Sequence, residues 1–154
     1  MPKYMNQKDT FLKCKEEGRF LVVEEIDNDK INSTVRIAEG DIESAKILKK
    51  NINKQSNNWN SVYKLYYDAL HELVESFLRY DKIKTTNHQS LFVYLCEKYP
   101  VLGFDWEFFE KVRTKRNGIN YYGNSIDFED WNEVEFQFNL YLKKLNEEIN
   151  KRLD

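Results

Sequence analysis

Apolar residues recur along most of this chain in steps of three and four. From Asn28 or Asp29 onward, Ile31, Val35, Ala38, Ile42 and Ala45 keep that step, with Asn32, Arg36, Glu39, Glu43 and Lys46 between them. This is the pattern of a helix burying one face. Gly40 falls inside it and weakens a helix by about 1 kcal/mol relative to Ala, so its presence predicts close helix packing at that point. After an Asn-rich loop, a second helix is predicted from about Asn58 to Tyr80. Its apolar positions Trp59, Val62, Tyr63, Tyr66, Ala69, Leu70, Leu73, Val74 and Phe77 form a stripe wide enough for a central helix touched on more than one side.

The segment from Lys82 to Asn87 reads as a polar turn, with Asn87 placed to cap a shorter helix through Leu91, Tyr94, Leu95 and Cys96 that ends by Pro100. Asp105 can cap the next helix, which carries Trp106, Phe109 and Val112 to about Asn120 and is closed by Gly123. Asp127 and Asp130 have the spacing of a capping pair ahead of a last helix through Trp131, Val134, Phe138, Tyr141, Leu142, Leu145 and Ile149. Ahead of all these, Thr10 to Gly18 predicts a short helix, and Phe20-Leu21-Val22-Val23 an extended run lying across the core. No segment alternates convincingly and no repeat is found. The expectation is an all-α bundle of four to five helices, mostly antiparallel, forming one domain over residues 1–154, with residues 1–27 as an N-terminal extension packed on it.

Composition narrows this further. The chain has 154 residues, 41% apolar and 32% charged, which is the range of a globular domain. Five Gly and two Pro are too few for a turn-rich β-protein. Ten Tyr, ten Phe and three Trp predict a bulky core or an adhesive partner surface. Cys14 and Cys96 match no metal-ligand spacing and read as buried or idle thiols in a reducing compartment. No apolar run is long enough for a membrane span, and the N-terminus lacks the apolar core of a secretory signal. A cytoplasmic location is the resulting expectation.

The net charge of −2 does not decide for or against nucleic acid, but one local run does bear on it. Lys111, Arg113, Lys115 and Arg116 precede Asn117, Asn120, Tyr121 and Tyr122. Such a stretch can bind phosphates and stack bases, or it can be a solvated helix face whose cations complement the C-terminal dipole. The asparagines can instead bond backbone at a fraying helix end, and a tyrosine can anchor a core or a dimer interface. His71, near Glu72 and Glu75, reads as a surface or part-buried residue, and His88 as one that caps or packs at a helix start. No zinc or di-iron spacing, phosphate loop or Ser nucleophile motif occurs, so neither a metal nor a cofactor is expected.

Taken in order, Phe11-Leu12-Lys13-Cys14-Lys15-Glu16-Glu17-Gly18-Arg19, the segment Ala45-Lys46 to Leu48, Tyr66-Tyr67-Asp68-Ala69-Leu70-His71-Glu72, His88 with Leu91 and Leu95, and Arg113 to Gly123 resemble the HEPN family. These are helical proteins often encoded beside minimal nucleotidyltransferases in prokaryotes. The resemblance runs from Phe11 to about Leu145 and is carried by the order and spacing of these segments. It implies a homodimer whose motif helices face each other, association with RNA or a nucleotide, and work with a nucleotidyltransferase partner in a toxin–antitoxin or defence pair. The family motif pairs an Arg with a His several residues later in a metal-independent ribonuclease site.

Here Arg116 stands at the Arg position and Asn117 at the polar residue after it, but Tyr121 occupies the His position. A tyrosine with a pKa near 10 is scarcely ionised at neutral pH, so the general-base share of the rate, about 10² to 10⁴, should be largely lost. The resemblance therefore implies an RNA or nucleotide site at Arg113, Arg116, Asn117, Asn120 and Tyr122, with weak or absent ribonuclease activity. Two alternatives stand beside it. One is an active endoribonuclease using Arg116 with Tyr121, Asn120 or a recruited His88 that reaches the Arg116 site. The other is a helical interaction scaffold.

Overall fold

The computed structural model of the chain describes residues 4–153, without the side chains of Asn120, Tyr121 and Tyr122. The described residues form an all-α fold: α1 (Gln7–Glu16), α2 (Asn28–Lys50), α3 (Trp59–Arg79), α4 (His88–Lys98), α5 (Trp106–Tyr122) and α6 (Phe128–Arg152), with a single 3-10 turn at Pro100–Leu102. The helix starts follow from side chains that replace missing intrahelical acceptors. Asn6, Asp27, Asn87, Asp105 and Asp127 each accept a hydrogen bond from a first-turn backbone N–H. At α6 the exchange is reciprocal, since the Asp130 carboxylate also accepts from the Asp127 N–H.

Helix α3 is the centre of the fold. It packs on α2 and α6 along its length and meets α4 and α5 on its remaining side. Its stripe of Val62, Tyr63, Tyr66, Tyr67, Leu70, Val74 and Phe77 is buried, which explains the width of its apolar pattern. From α6, Trp131 and Phe138 close over Tyr63 and Tyr66 in tilted and edge-on contacts. Phe92 of α4 stacks on Phe109 of α5, 4.6 Å between ring centroids.

Three local features differ from the expectation. Phe20–Val22 is a strand, β1, paired antiparallel with a second strand, β2 (Ile83–Thr85), where a polar turn was expected; Leu21 lies opposite Lys84. This pair ties the N-terminal segment to the connection between α3 and α4. Gly40 does not mark a close approach: it is exposed, with nothing within 4 Å of where a Cβ would lie. The short first helix starts three residues earlier than Thr10, at Gln7, because Asn6 caps it. Cys14 and Cys96 are free and buried, and burial pushes both thiols up. Among the described residues no helix is long and apolar enough to cross a membrane.

Candidate functional site

The polar chemistry of the molecule collects where α3, α4 and α5 meet. Helix α3 contributes Tyr67, Asp68 and His71, α4 contributes His88 at its first turn, and α5 contributes Arg113 and Arg116. Tyr67 and His71 lie one turn apart on α3, so their rings leave the same face. The Tyr67 hydroxyl is 2.9 Å from His88 Nδ1, and the His71 and His88 rings stack with centroids 3.8 Å apart. Asp68, beside Tyr67 in the chain, forms an ion pair with Arg116 Nη2 at 3.6 Å.

Arg116 is mostly enclosed, with 18% of its side chain exposed, and its Nε and Nη1 atoms are buried without a hydrogen-bond partner among the described residues. Buried donors of this kind are costly unless something accepts from them. Arg113 is differently placed. Its Nε and Nη2 donate to the two oxygens of Glu110 at 2.9 and 3.1 Å, and Gln89 also donates to that carboxylate. Glu110 is buried, so Arg113 is held in a two-pronged pair that a phosphate would have to break.

The basic run therefore does not form one cationic face. Arg113 and Arg116 turn toward α3 and α4, while Lys111 and Lys115 turn toward α6 and pair with Glu133 and Asp130. Each of these four cations has an acidic neighbour. Arg116 keeps the loosest pairing and is the only one of them whose buried donors are unmet among the described residues.

The electrostatics of the cluster keep its imidazoles neutral. Burial pushes His71 down to about 3, and the neighbouring His88 adds to the effect. His88 is lowered first by desolvation; Arg116 and Arg113 lower it further, and Asp68 opposes them. Its place at the start of α4 acts in the same direction, because a helix N-terminus disfavours a cation. Burial raises the Tyr67 phenol, so it stays protonated and meets His88 as a neutral hydroxyl. Desolvation also raises the Asp68 carboxyl, against the pull of Arg116. One turn further along α3, Glu72 is pushed up to about 8, by burial first and then by the Asp41 carboxylate of α2.

Of the residues singled out in the sequence, the structure thus brings together Arg116 and His88, which share Asp68 and Tyr67 as neighbours, with Arg113 at their edge. Asn117 is half-buried one residue beyond Arg116 and has no described side-chain bond. The backbone at Asn120, Tyr121 and Tyr122 completes α5, but their side chains lie outside those described. Helix α5 stops beyond them because Gly123 takes a left-handed conformation, φ 65°, and the Asn124 N–H returns to the Gly118 carbonyl at 3.1 Å.

In the sequence, Tyr67 and Asp68 stand out only within the resemblance segment of the second helix and not as site residues, and His71 reads as a surface or part-buried residue. The signal present was local: Tyr67 and His71 lie four residues apart beside the apolar stripe of the central helix, with Asp68 next to them. Among the described residues no group of three or more metal-ligating side chains converges. No family model, curated protein or solved structure matches the chain.

Proposed function

We propose that this chain is a HEPN-like RNA- or nucleotide-associated protein that holds a phosphodiester at Arg116, in a homodimer working beside a minimal nucleotidyltransferase in a toxin–antitoxin or defence pair. The observation that carries the site is the Arg116 guanidinium, held loosely by Asp68 with two buried donors unmet among the described residues. A phosphate oxygen can accept a charge-assisted hydrogen bond from a guanidinium N–H of this kind, and a bidentate fork there would have to share Nη2 with Asp68. Because the neighbouring lysines and Arg113 are already paired, binding should be modest and its salt dependence shallow. The slope of log affinity against log salt should correspond to about one phosphate contact.

A second reading, a metal-independent endoribonuclease, is favoured by one specific observation. In a neutral His88 whose Nδ1–H donates to the Tyr67 hydroxyl, Nε2 keeps a free lone pair. In that reading Nε2 accepts the ribose 2′-OH proton and the 2′-oxygen attacks the adjacent phosphorus. The bond to the 5′-oxygen then breaks, that oxygen takes up a proton, and a 2′,3′-cyclic phosphate remains. His88 would supply the base that Tyr121 cannot.

One experiment separates the two. Labelled RNA is titrated with wild type, Arg116→Ala and His88→Gln, and cleavage is followed in EDTA. Binding lost in a folded Arg116→Ala supports the site. Cleavage lost in His88→Gln with binding kept supports the ribonuclease reading. Binding unaffected by Arg116→Ala removes the proposal.

A further inference from the structure

We infer that Tyr67 and His71 are positioning residues that lock the His88 ring into one tautomer and one plane beside Arg116, a role that rests on the phosphodiester reading of this site. His88 is itself exposed, at the first position of α4, where an unsupported imidazole would exchange between rotamers. Two contacts remove that freedom. The Tyr67 hydroxyl meets Nδ1 at 2.9 Å, and the His71 ring lies against the His88 ring at 3.8 Å and 33° from parallel. The Tyr67 hydroxyl can donate to Nδ1 or accept from it, so the bond fixes the ring in place, and the direction it takes there sets what Nε2 presents to a ligand.

The clamp is anchored in the core. Tyr67 is buried, and Phe92 stands edge-on to both clamping rings, at 5.9 Å from Tyr67 and 6.1 Å from His71. Phe92 is fully buried and stacked on Phe109. A continuous set of ring contacts therefore runs from the core to one exposed imidazole, and side chains held in this way keep a functional group close to a single geometry. A packing role alone needs no hydroxyl at position 67, where phenylalanine would fill the same space.

The test is ¹⁵N-resolved NMR of the His88 ring in the full chain, for wild type, Tyr67→Phe and His71→Ala, with thermal melts to establish folding. In wild type the two ring nitrogens should be strongly inequivalent, and adding labelled RNA should move Nε2 while leaving Nδ1 in place. In Tyr67→Phe the two resonances should converge as the tautomer preference is lost. In His71→Ala the His88 ring protons should lose the upfield shift of the stack. A near-equal tautomer mixture in wild type overturns the inference even if neither variant folds, as do unchanged His88 signals in both folded variants. If wild-type RNA titration moves no His88 signal and gives no binding while the variants behave as expected, the clamp stands and the phosphodiester reading fails.

Discussion

The rings of His71 and His88 lie 3.8 Å apart, one from the middle of α3 and one from the first turn of α4. Two imidazolium ions at that distance would repel strongly in a desolvated site, so the contact is compatible with neutral rings and resists the charging of either. The same contact joins the polar cluster to the core through Phe92. Acidity should therefore be felt in stability as well as in the chemistry of the site.

The direction of that effect follows from proton counting. His71 titrates near 6.5 when exposed and is pushed down to about 3 here, and His88 is lowered too. Between those values the unfolded chain binds more protons than the folded one, so the stability contribution is full above about pH 6.5 and is lost as the pH falls toward 3. Urea midpoints of wild type should drop on going from pH 7 to pH 5. His71→Phe, which keeps a ring and removes one titrating group, should show a smaller drop. An equal drop in both would sink the argument.

Glu72 acts with the opposite sign. Its folded value of about 8 lies above the 4.5 of an exposed glutamate, because burial and the Asp41 carboxylate favour the proton-bound form. The folded chain then binds more protons than the unfolded one between those limits, so stability is full below about pH 4.5 and is lost as the pH rises through 8. Glu72→Gln should match wild type near pH 4.5 and exceed it at pH 8 to 9, by denaturant melts. The same variant should leave RNA affinity near pH 6 unaltered, since Glu72 takes no part in the proposed site.

Asp68 both steadies Arg116 and competes with any anion that approaches it. The pair is 3.6 Å long and the carboxylate side chain is 41% exposed, so its attraction is partly screened and worth about 0.2–1 kcal/mol. Asp68→Asn should accordingly tighten binding of labelled RNA by up to about five-fold at low salt, read by fluorescence anisotropy. It should also lower the His88 pKa further, because Asp68 is the largest charge favouring its protonation. Weaker binding in a folded Asp68→Asn would mean that Asp68 orders the site rather than competing for it.

How far the sequence foretold this structure depends on whether a feature is local or tertiary. Periodicity and caps are local, so the reciprocal Asp127–Asp130 cap and the central place of α3 could be read before any coordinates. The β1–β2 pair could not, because Ile83-Lys84-Thr85 offers a single large apolar residue and its partner lies far away in the chain. At the site, Arg116 was singled out from the sequence only by a motif resemblance, and Glu110 lies one turn from Arg113 in the same helix. Which cations remained available was not legible. That depends on Asp68, Asp130 and Glu133, set opposite α5 by the register of neighbouring helices. Likewise His88 and Tyr67 are brought together by packing of α4 on α3, which no spacing within either helix encodes.

The end of α6 is fastened by one side chain whose chemistry permits a sharp comparison. Arg152 Nη1 donates to Asp81 at 3.1 Å and Nη2 to the Tyr99 hydroxyl at 2.9 Å, while its Cζ lies over the Phe77 ring, 4.6 Å from the ring centre. Tyr99 in turn donates to Asp81, which closes a small network between α6 and the ends of α3 and α4. Helix ends normally fray, so these contacts should set how far α6 stays docked. Arg152→Ala should lower stability by about 1–2 kcal/mol, combining a cation–π contact with a partly exposed ion pair. Arg152→Lys should recover only part of this, because an ammonium carries the charge but cannot present the fixed planar set of donors that reaches two acceptors while its carbon sits over a ring. Hydrogen exchange of the last turns of α6 should rise in both variants, and more in the alanine. A lysine variant with wild-type stability and exchange would show that charge alone fastens this helix.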